Sequence, residues 1–201
     1  MSNQKPLEQQ IRHIILIVAL ANLAYFFVEF YIAQTINSVS LFADSIDFLE
    51  DTAINLLIFI ALAWSLKMRS YVGMCLAGTL LVPTLFTVWT VWQNFNLSIA
   101  PDPLLLSFTG LGALLVNVGC ALLLAKLRHH TSSLTRAAFL SARNDAFANI
   151  AIMIAGLITL QWHSSWPDLI VGIGIAILNA DAAKSVWKAA RQERLSAEIE
   201  T

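Results

Sequence analysis

Residues 38–64 read SVSLFADSIDFLEDTAINLLIFIALAW, a run long and apolar enough to cross a bilayer although it contains several acidic residues. A transmembrane helix needs about 20 mostly apolar residues. The rest of the chain has the same character, because 58% of its 201 residues are hydrophobic and only 12% are charged, against about 45–50% and about 25% in soluble domains. This composition excludes a water-soluble domain, and the net charge of −1 excludes a basic surface for nucleic acid.

Apolar stretches of spanning length recur along the whole chain. Six of them can be marked, at about 13–34, 38–64, 70–92, 103–125, 134–160 and 166–187. The sequence therefore predicts an all-α integral membrane protein with six transmembrane helices in one domain. We expect residues 1–12 to form a short cytoplasmic segment before this domain and residues 188–201 to form a short cytoplasmic tail after it.

The basic residues predict the orientation of the spans. Eleven of the 12 Lys and Arg residues lie before the first span, after the second, around the connection between the fourth and fifth, or at the end of the sixth and beyond it, and the twelfth, Arg143, lies inside the fifth span. The connections at 34–38, 93–102 and 161–166 contain none. Because Lys and Arg accumulate in short cytoplasmic loops, both termini are predicted to lie in the cytoplasm. We expect a multi-pass protein of a bacterial inner membrane.

Three aspartates are predicted to lie near the middle of the bilayer. At about 2.5–3.5 kcal/mol for each Asp at the centre of a lipid-exposed helix, Asp47, Asp51 and Asp145 would together cost roughly 8–10 kcal/mol. A helical rise of about 1.5 Å per residue places Asp47 and Asp145 about 14–16 Å into their spans, in a hydrocarbon layer about 30 Å thick. These side chains must therefore face protein, water, protons or a cation.

The spacing of these residues predicts a metal site. Asp47 and Asp51 are four residues apart and share one face of a helix, and Asp145 has Ser141 one turn before it and Asn149 one turn after it. Like charges that lie so close favour a divalent cation or shared protons. The candidate ligands are Asp47, Asp51, Asp145, Asn149 and Ser141, and whether Ser141, Asn149 or water completes the site stays open.

For the other acidic residues of the first two spans, two roles stay open. Glu29 and Glu50 fit a functional or a structural role equally well, and Asp44 could line an exit path or cap a helix. Asp102 and Asp168 each stand at the start of a span, where a carboxylate stabilises the N-terminus of its own helix. A structural role is therefore expected for these two.

The chain resembles the cation diffusion facilitator family of metal transporters. The resemblance rests on SVSLFADSIDFLED (38–51), on ARNDAFAN (142–149) with the apolar run that follows, and on WPDLIVG (166–172). It covers nearly the whole chain and implies a six-helix bundle whose midplane metal site falls on Asp47, Asp51 and Asp145.

Two departures from the family pattern bear on metal choice and assembly. Ser141 stands where the family commonly has histidine, which leaves a site rich in oxygen ligands. Family members usually carry a soluble C-terminal domain, and only a short tail follows the last span here. The resemblance thus implies a short member, with a homodimer held by membrane helices.

The function implied is efflux of a divalent metal ion in exchange for protons by alternating access. The expected partners are the metal ion, protons and the lipid bilayer. A zinc-like ion is the expected substrate, with cadmium, iron and manganese open, and no permanently bound cofactor is expected. The alternatives are an intramembrane aspartyl-type enzyme and a membrane protein that binds metal without transporting it. We expect a transporter and not an enzyme, because three carboxylates exceed what a catalytic dyad needs.

Overall fold

The computed structural model describes residues 4–61, 71, 85, 88–93, 99–126 and 133–199. Five long helices are α1 (Gln4–Ile36), α2 (Val39–Ala61), α3 (Pro103–Ala125), α4 (Ser133–Trp162) and α5 (Trp166–Ile199). Residues 88–93 form a sixth helical segment, and the described residues contain no strand. The predicted all-α class with six helices is confirmed. Most of the predicted third span, 70–92, and the chain ends at 1–3 and 200–201 lie outside the described residues.

Three of the described helices are long and apolar enough to cross a membrane, over Gln9–Ile36, Pro103–Ala125 and Ser141–Trp162. Helix α2 is different, because four acidic residues lie between positions 44 and 51. It occupies the middle of the bundle, where it packs against α1, α4 and α5 and touches α3, and residues 38–46 are all buried. The neighbouring helices therefore shield the acidic helix from lipid.

Two short turns make consecutive helices antiparallel neighbours. Asn37 between α1 and α2 has φ 54° and His163 after α4 has φ 47°, the left-handed conformation that commonly ends a helix. We call the end of the bundle that contains residues 37–38 and 163–165 the loop face. The opposite end, where α1 begins and α5 ends, is the terminal face. Residues 188–199 continue α5 beyond the predicted span.

Two apolar clusters lie at different depths in the bundle. The cluster nearer the terminal face is centred on Ile15, Val18 and Leu124, and the cluster nearer the loop face includes Leu41 and Ile152. Many of the buried polar residues lie at depths between them. The core is thus divided by a polar layer, which contains the candidate site.

Asp168 has a different partner from the one expected. Its carboxylate accepts hydrogen bonds from Ser38 Oγ and the Val39 backbone N–H, both at 2.7 Å, and from the N–H and hydroxyl of Ser40. Asp168 therefore caps α2 while it stands, as expected, in the first turn of its own helix. The physical reason is that the first N–H groups of α2 lack helical partners and lie beside the start of α5. Asp102 behaves as expected and caps α3 by accepting from the N–H groups of Leu104 and Leu105 at 2.9 Å.

The contact between α2 and α5 is too close for a larger residue than glycine. A Cβ atom at Gly172 would lie 2.7 Å from Val39 Cγ1 and 2.9 Å from the backbone nitrogen of Ser40. Together with the Asp168 cap, this contact fixes α5 against α2 at the loop face.

Candidate functional site

A cavity of about 260 Å³ lies between α2, α4 and α5. It is large enough for a cation together with several water molecules. The described residues that line it are Asp47, Glu50, Asp51, Ser141, Asn144, Asp145, Ala148, Ile175, Leu178, Asn179 and Asp181. Acidic and carboxamide side chains thus dominate the polar part of its wall.

Four of the five residues predicted for the metal site line this cavity. Asp47 and Asp51 come from one face of α2, and Ser141 and Asp145 come from the facing side of α4. The Ser141 hydroxyl donates to Asp51 Oδ1 at 3.0 Å, which links the two helices directly. The i, i+4 spacing on each helix explains the arrangement, since it places both members of each pair on the same face.

Asn149, the fifth predicted residue, does not line the cavity. Its side chain is completely buried, and neither its Nδ2 nor its Oδ1 atom has a hydrogen-bond partner in the described part of the chain. It lies one turn from Asp145 towards the loop face. The fold therefore brings Ser141 to the aspartates and keeps Asn149 at a different level.

Several residues of the cavity were not among the predicted ligands. Glu50 had no assigned role, Asn144 was recognised as a polar residue of the fifth span but not as a ligand, and Asn179 and Asp181 were missed. Asn179 is buried and donates from Nδ2 to the carbonyl of Ala43 at 3.3 Å, while Asp181 is exposed. A signal for the last two existed in the sequence, because both lie inside the predicted sixth span, where polar side chains are rare.

The charges around the cavity are all of one sign. Five carboxylates line it, and among the described lining residues there is no Lys, Arg or His. Repulsion between carboxylates in a protein interior disfavours their simultaneous ionisation unless a cation is present. The cavity is thus suited electrostatically to protons or to a multivalent cation.

The carboxylates surround the cavity without converging on one point. Within the described residues, no group of three or more His, Cys, Asp or Glu side chains is placed to hold a metal ion as it stands. An ion held by these carboxylates would have to draw the side chains, or the helices that carry them, towards itself.

A comparison with protein families identifies the chain. A model of the cation efflux transmembrane domain matches residues 15–193, a range that includes every residue lining the cavity. No curated protein matches the sequence. The family match confirms the resemblance to cation diffusion facilitators that residues 38–51 and 142–149 carry. The chain therefore belongs to the cation efflux family and is a multi-pass membrane protein that transports metal cations.

Proposed function

We propose that the protein exports a divalent metal ion in exchange for protons, with Asp47, Asp51 and Asp145 as the ligands of the transported ion. The observation that carries the proposal is the cavity itself. Three carboxylates predicted at the bilayer midplane, supplied by two facing helices, line one space in a bundle that otherwise has an apolar exterior. Such residues inside membranes are costly and mark ion pathways.

Exchange follows from the chemistry of the carboxylates. A carboxylate must be deprotonated to bind a metal ion, so metal and protons compete for the same oxygen atoms. Ions from one side would bind while the cavity faces that side, and protons from the other side would displace them after the helices rearrange. That the described residues contain no ready-made ligand cluster fits a substrate site, because an ion that binds too tightly cannot leave.

The helix contacts suggest which parts move. Asp168 and Gly172 hold α2 and α5 together at the loop face, while Asp181 is exposed and lies nearest the terminal face among the α5 residues of the cavity. We propose that the ion is taken up from the terminal face, where the basic residues predict the cytoplasm. Alternating access would then open the loop-face side of the same cavity.

The membrane location and the oligomeric state are proposed on separate grounds. We propose a bacterial inner membrane with both termini in the cytoplasm, on the basis of the one-sided distribution of Lys and Arg. We also propose a homodimer held by membrane helices, as the family resemblance implies.

The ligand set favours no single metal strongly. The described lining offers carboxylate, hydroxyl and carboxamide oxygens and neither imidazole nor thiolate. Oxygen ligands suit manganese and other hard ions, whereas imidazole suits zinc. We propose a zinc-like divalent ion as substrate, with cadmium, iron and manganese as the competing candidates.

The Ser141→His variant tests this account of metal choice. It places an imidazole beside Asp51, and we expect the ratio of zinc to manganese transport to rise on the order of tenfold. The ratio is measured by uptake of each ion into proteoliposomes. Ser141→Ala is the matched control, since it removes the hydroxyl without adding a ligand and should not raise the ratio. An unchanged ratio in Ser141→His would place residue 141 outside the coordination sphere.

Proton coupling is tested with a pH gradient. In proteoliposomes with an acidic interior, outward movement of protons should drive metal uptake, and an ionophore that exchanges K⁺ for H⁺ should slow that uptake severalfold by collapsing the gradient. Vesicles without protein provide the control for leakage. Uptake that continues at the full rate after the gradient is collapsed would favour a uniporter or a channel.

A further inference from the structure

A second group of buried polar side chains lies between the cavity and the loop face. Glu29 of α1, Asp44 of α2 and Asn149 of α4 are each 0% exposed, and none of them lines the cavity. Asp44 lies in the continuously buried stretch 38–46, and Glu29 is buried although its neighbours Val28 and Phe30 are exposed. The two acidic residues are therefore separate from the proposed central site.

The hydrogen bonds of the fold do not use these side chains. No group in the described residues donates to either oxygen of Glu29 or of Asp44, and the amide of Asn149 is also without a partner. Asp168 provides the contrast, because it is similarly buried and accepts four hydrogen bonds. Buried carboxylates without donors are unfavourable, so Glu29 and Asp44 do not serve, as Asp168 does, to accept hydrogen bonds from the surrounding helices.

The carboxyl groups of Glu29 and Asp44 face each other. They lie within hydrogen-bonding reach of each other, and since two ionised carboxylates offer only acceptors, one of them must carry a proton to donate to the other unless a cation neutralises the pair. A hydroxyl one turn away on α1, that of Tyr25, does not serve them, because it donates to the carbonyl of Thr109 at 2.7 Å. Among the described residues, the pair thus has no donor other than a proton of its own.

The positions of these residues form a second level in the polar layer. Glu29 is seven residues before the end of α1 and Asp44 is five residues after the start of α2, so both lie about 8–11 Å from the loop face. Asp44 precedes Asp47 by about one turn, and Asn149 follows Asp145 by one turn in the same direction. An ion moving from the central carboxylates to the loop face would meet this level next.

We propose that Glu29 and Asp44 form a second binding site for the divalent cation, on its route from the central cavity to the loop face. Two carboxylates match the charge of one divalent ion, and carboxylate oxygens are suitable ligands for such ions. The inference rests on the proposed function and adds a second binding site to the path of the ion. The pair would receive the ion as protons displace it from Asp47, Asp51 and Asp145.

Metal binding by the purified full chain tests this inference. Equilibrium binding of cadmium, used as the probe ion, should give two ions per chain for the wild type and one for the Glu29→Gln/Asp44→Asn double variant. Asp51→Asn should lose the other ion and keep the one at Glu29 and Asp44. Uptake by the double variant in proteoliposomes should fall about tenfold, and Asp102→Asn, which removes a loop-face carboxylate outside the pair, should transport at the wild-type rate.

Thermal unfolding separates a cation site from a structural role. Because the double variant replaces two unpartnered buried carboxylates by neutral isosteres, its Tm without metal should equal or exceed that of the wild type. A clear fall in Tm, or failure to fold, would show that the pair is structural and overturn the inference.

The two proposals can fail separately. Equal cadmium stoichiometry in wild type and double variant, with unchanged uptake, would overturn the second site while loss of uptake in Asp51→Asn still supported the central one. Normal uptake by Asp51→Asn would instead refute the proposed function.

Discussion

Metal uptake by Asp51→Asn proteoliposomes is expected to fall by about 100-fold or more, because the change removes a proposed ligand of the transported ion. Asparagine has nearly the shape of aspartate, so the helix packing around position 51 should survive. Asparagine lacks the negative charge that attracts the ion. Its side chain also cannot release and rebind a proton, as a carboxyl group does. Asp145→Asn should have the same effect from the opposite wall of the cavity. Uptake is measured with a metal-sensitive dye inside the vesicles.

Two controls make the loss interpretable. Both variants should insert in the membrane and elute as the wild type does in size-exclusion chromatography, which excludes misfolding as the cause. Asp102→Asn removes a carboxylate from the exposed cap of α3 and should leave uptake unchanged. If both Asp51→Asn and Asp145→Asn take up metal at the wild-type rate, the transported ion does not bind in this cavity.

Loss of the Asp168 side chain should produce the largest effect on stability. Asp168→Ala leaves the N–H groups of Val39 and Ser40 and two serine hydroxyls without their buried acceptor. Hydrogen bonds to charged groups contribute about 1.5–3 kcal/mol each, and their contributions are not additive, so we expect a loss of at least about 3 kcal/mol. The Tm of the purified protein in detergent should fall accordingly.

Asp102→Ala is the matched control for this prediction. Asp102 also caps a helix with two hydrogen bonds, but its side chain is exposed and caps only its own helix, so the expected cost is about 1 kcal/mol. If Asp168→Ala lowers the Tm no more than Asp102→Ala does, the contact between α5 and the start of α2 does not hold the bundle together.

The fold class was predictable because the physics of the bilayer leaves few choices. A chain with repeated apolar runs of spanning length can satisfy its backbone in lipid only as helices or as a closed barrel, and the runs are too long for strands. The central position of α2 was predictable for a related reason, since four acidic residues between positions 44 and 51 require shielding from lipid.

The composition of the cavity was predictable only within each helix. Helical periodicity pairs Asp47 with Asp51 and Asp145 with its neighbours one turn away, but it does not say how α4 is placed against α2. The choice between Ser141 and Asn149 depends on that placement, which tertiary packing decides. Asn179 and Asp181 were missed although they lie inside the predicted sixth span, because the sequence does not show which face of that helix meets α2 and α4.

Asp168 shows what a local rule leaves out. A carboxylate at the start of a helix is expected to stabilise that helix, yet this side chain caps the neighbouring helix. The close approach at Gly172 brings the free N–H groups of α2 within reach. The sequence around Asp168 contains no sign of this partner, because Ser38 and Ser40 are about 130 residues away in the chain.

The most direct test of the account records internal metal and internal pH together in the same proteoliposomes, for wild type and Asp51→Asn. The account predicts that wild-type vesicles with an acidic interior lose protons as metal enters, in a fixed ratio, and that both signals disappear in Asp51→Asn. Metal uptake without proton movement, or coupled movement that persists in Asp51→Asn, would contradict the claim that these carboxylates exchange metal for protons.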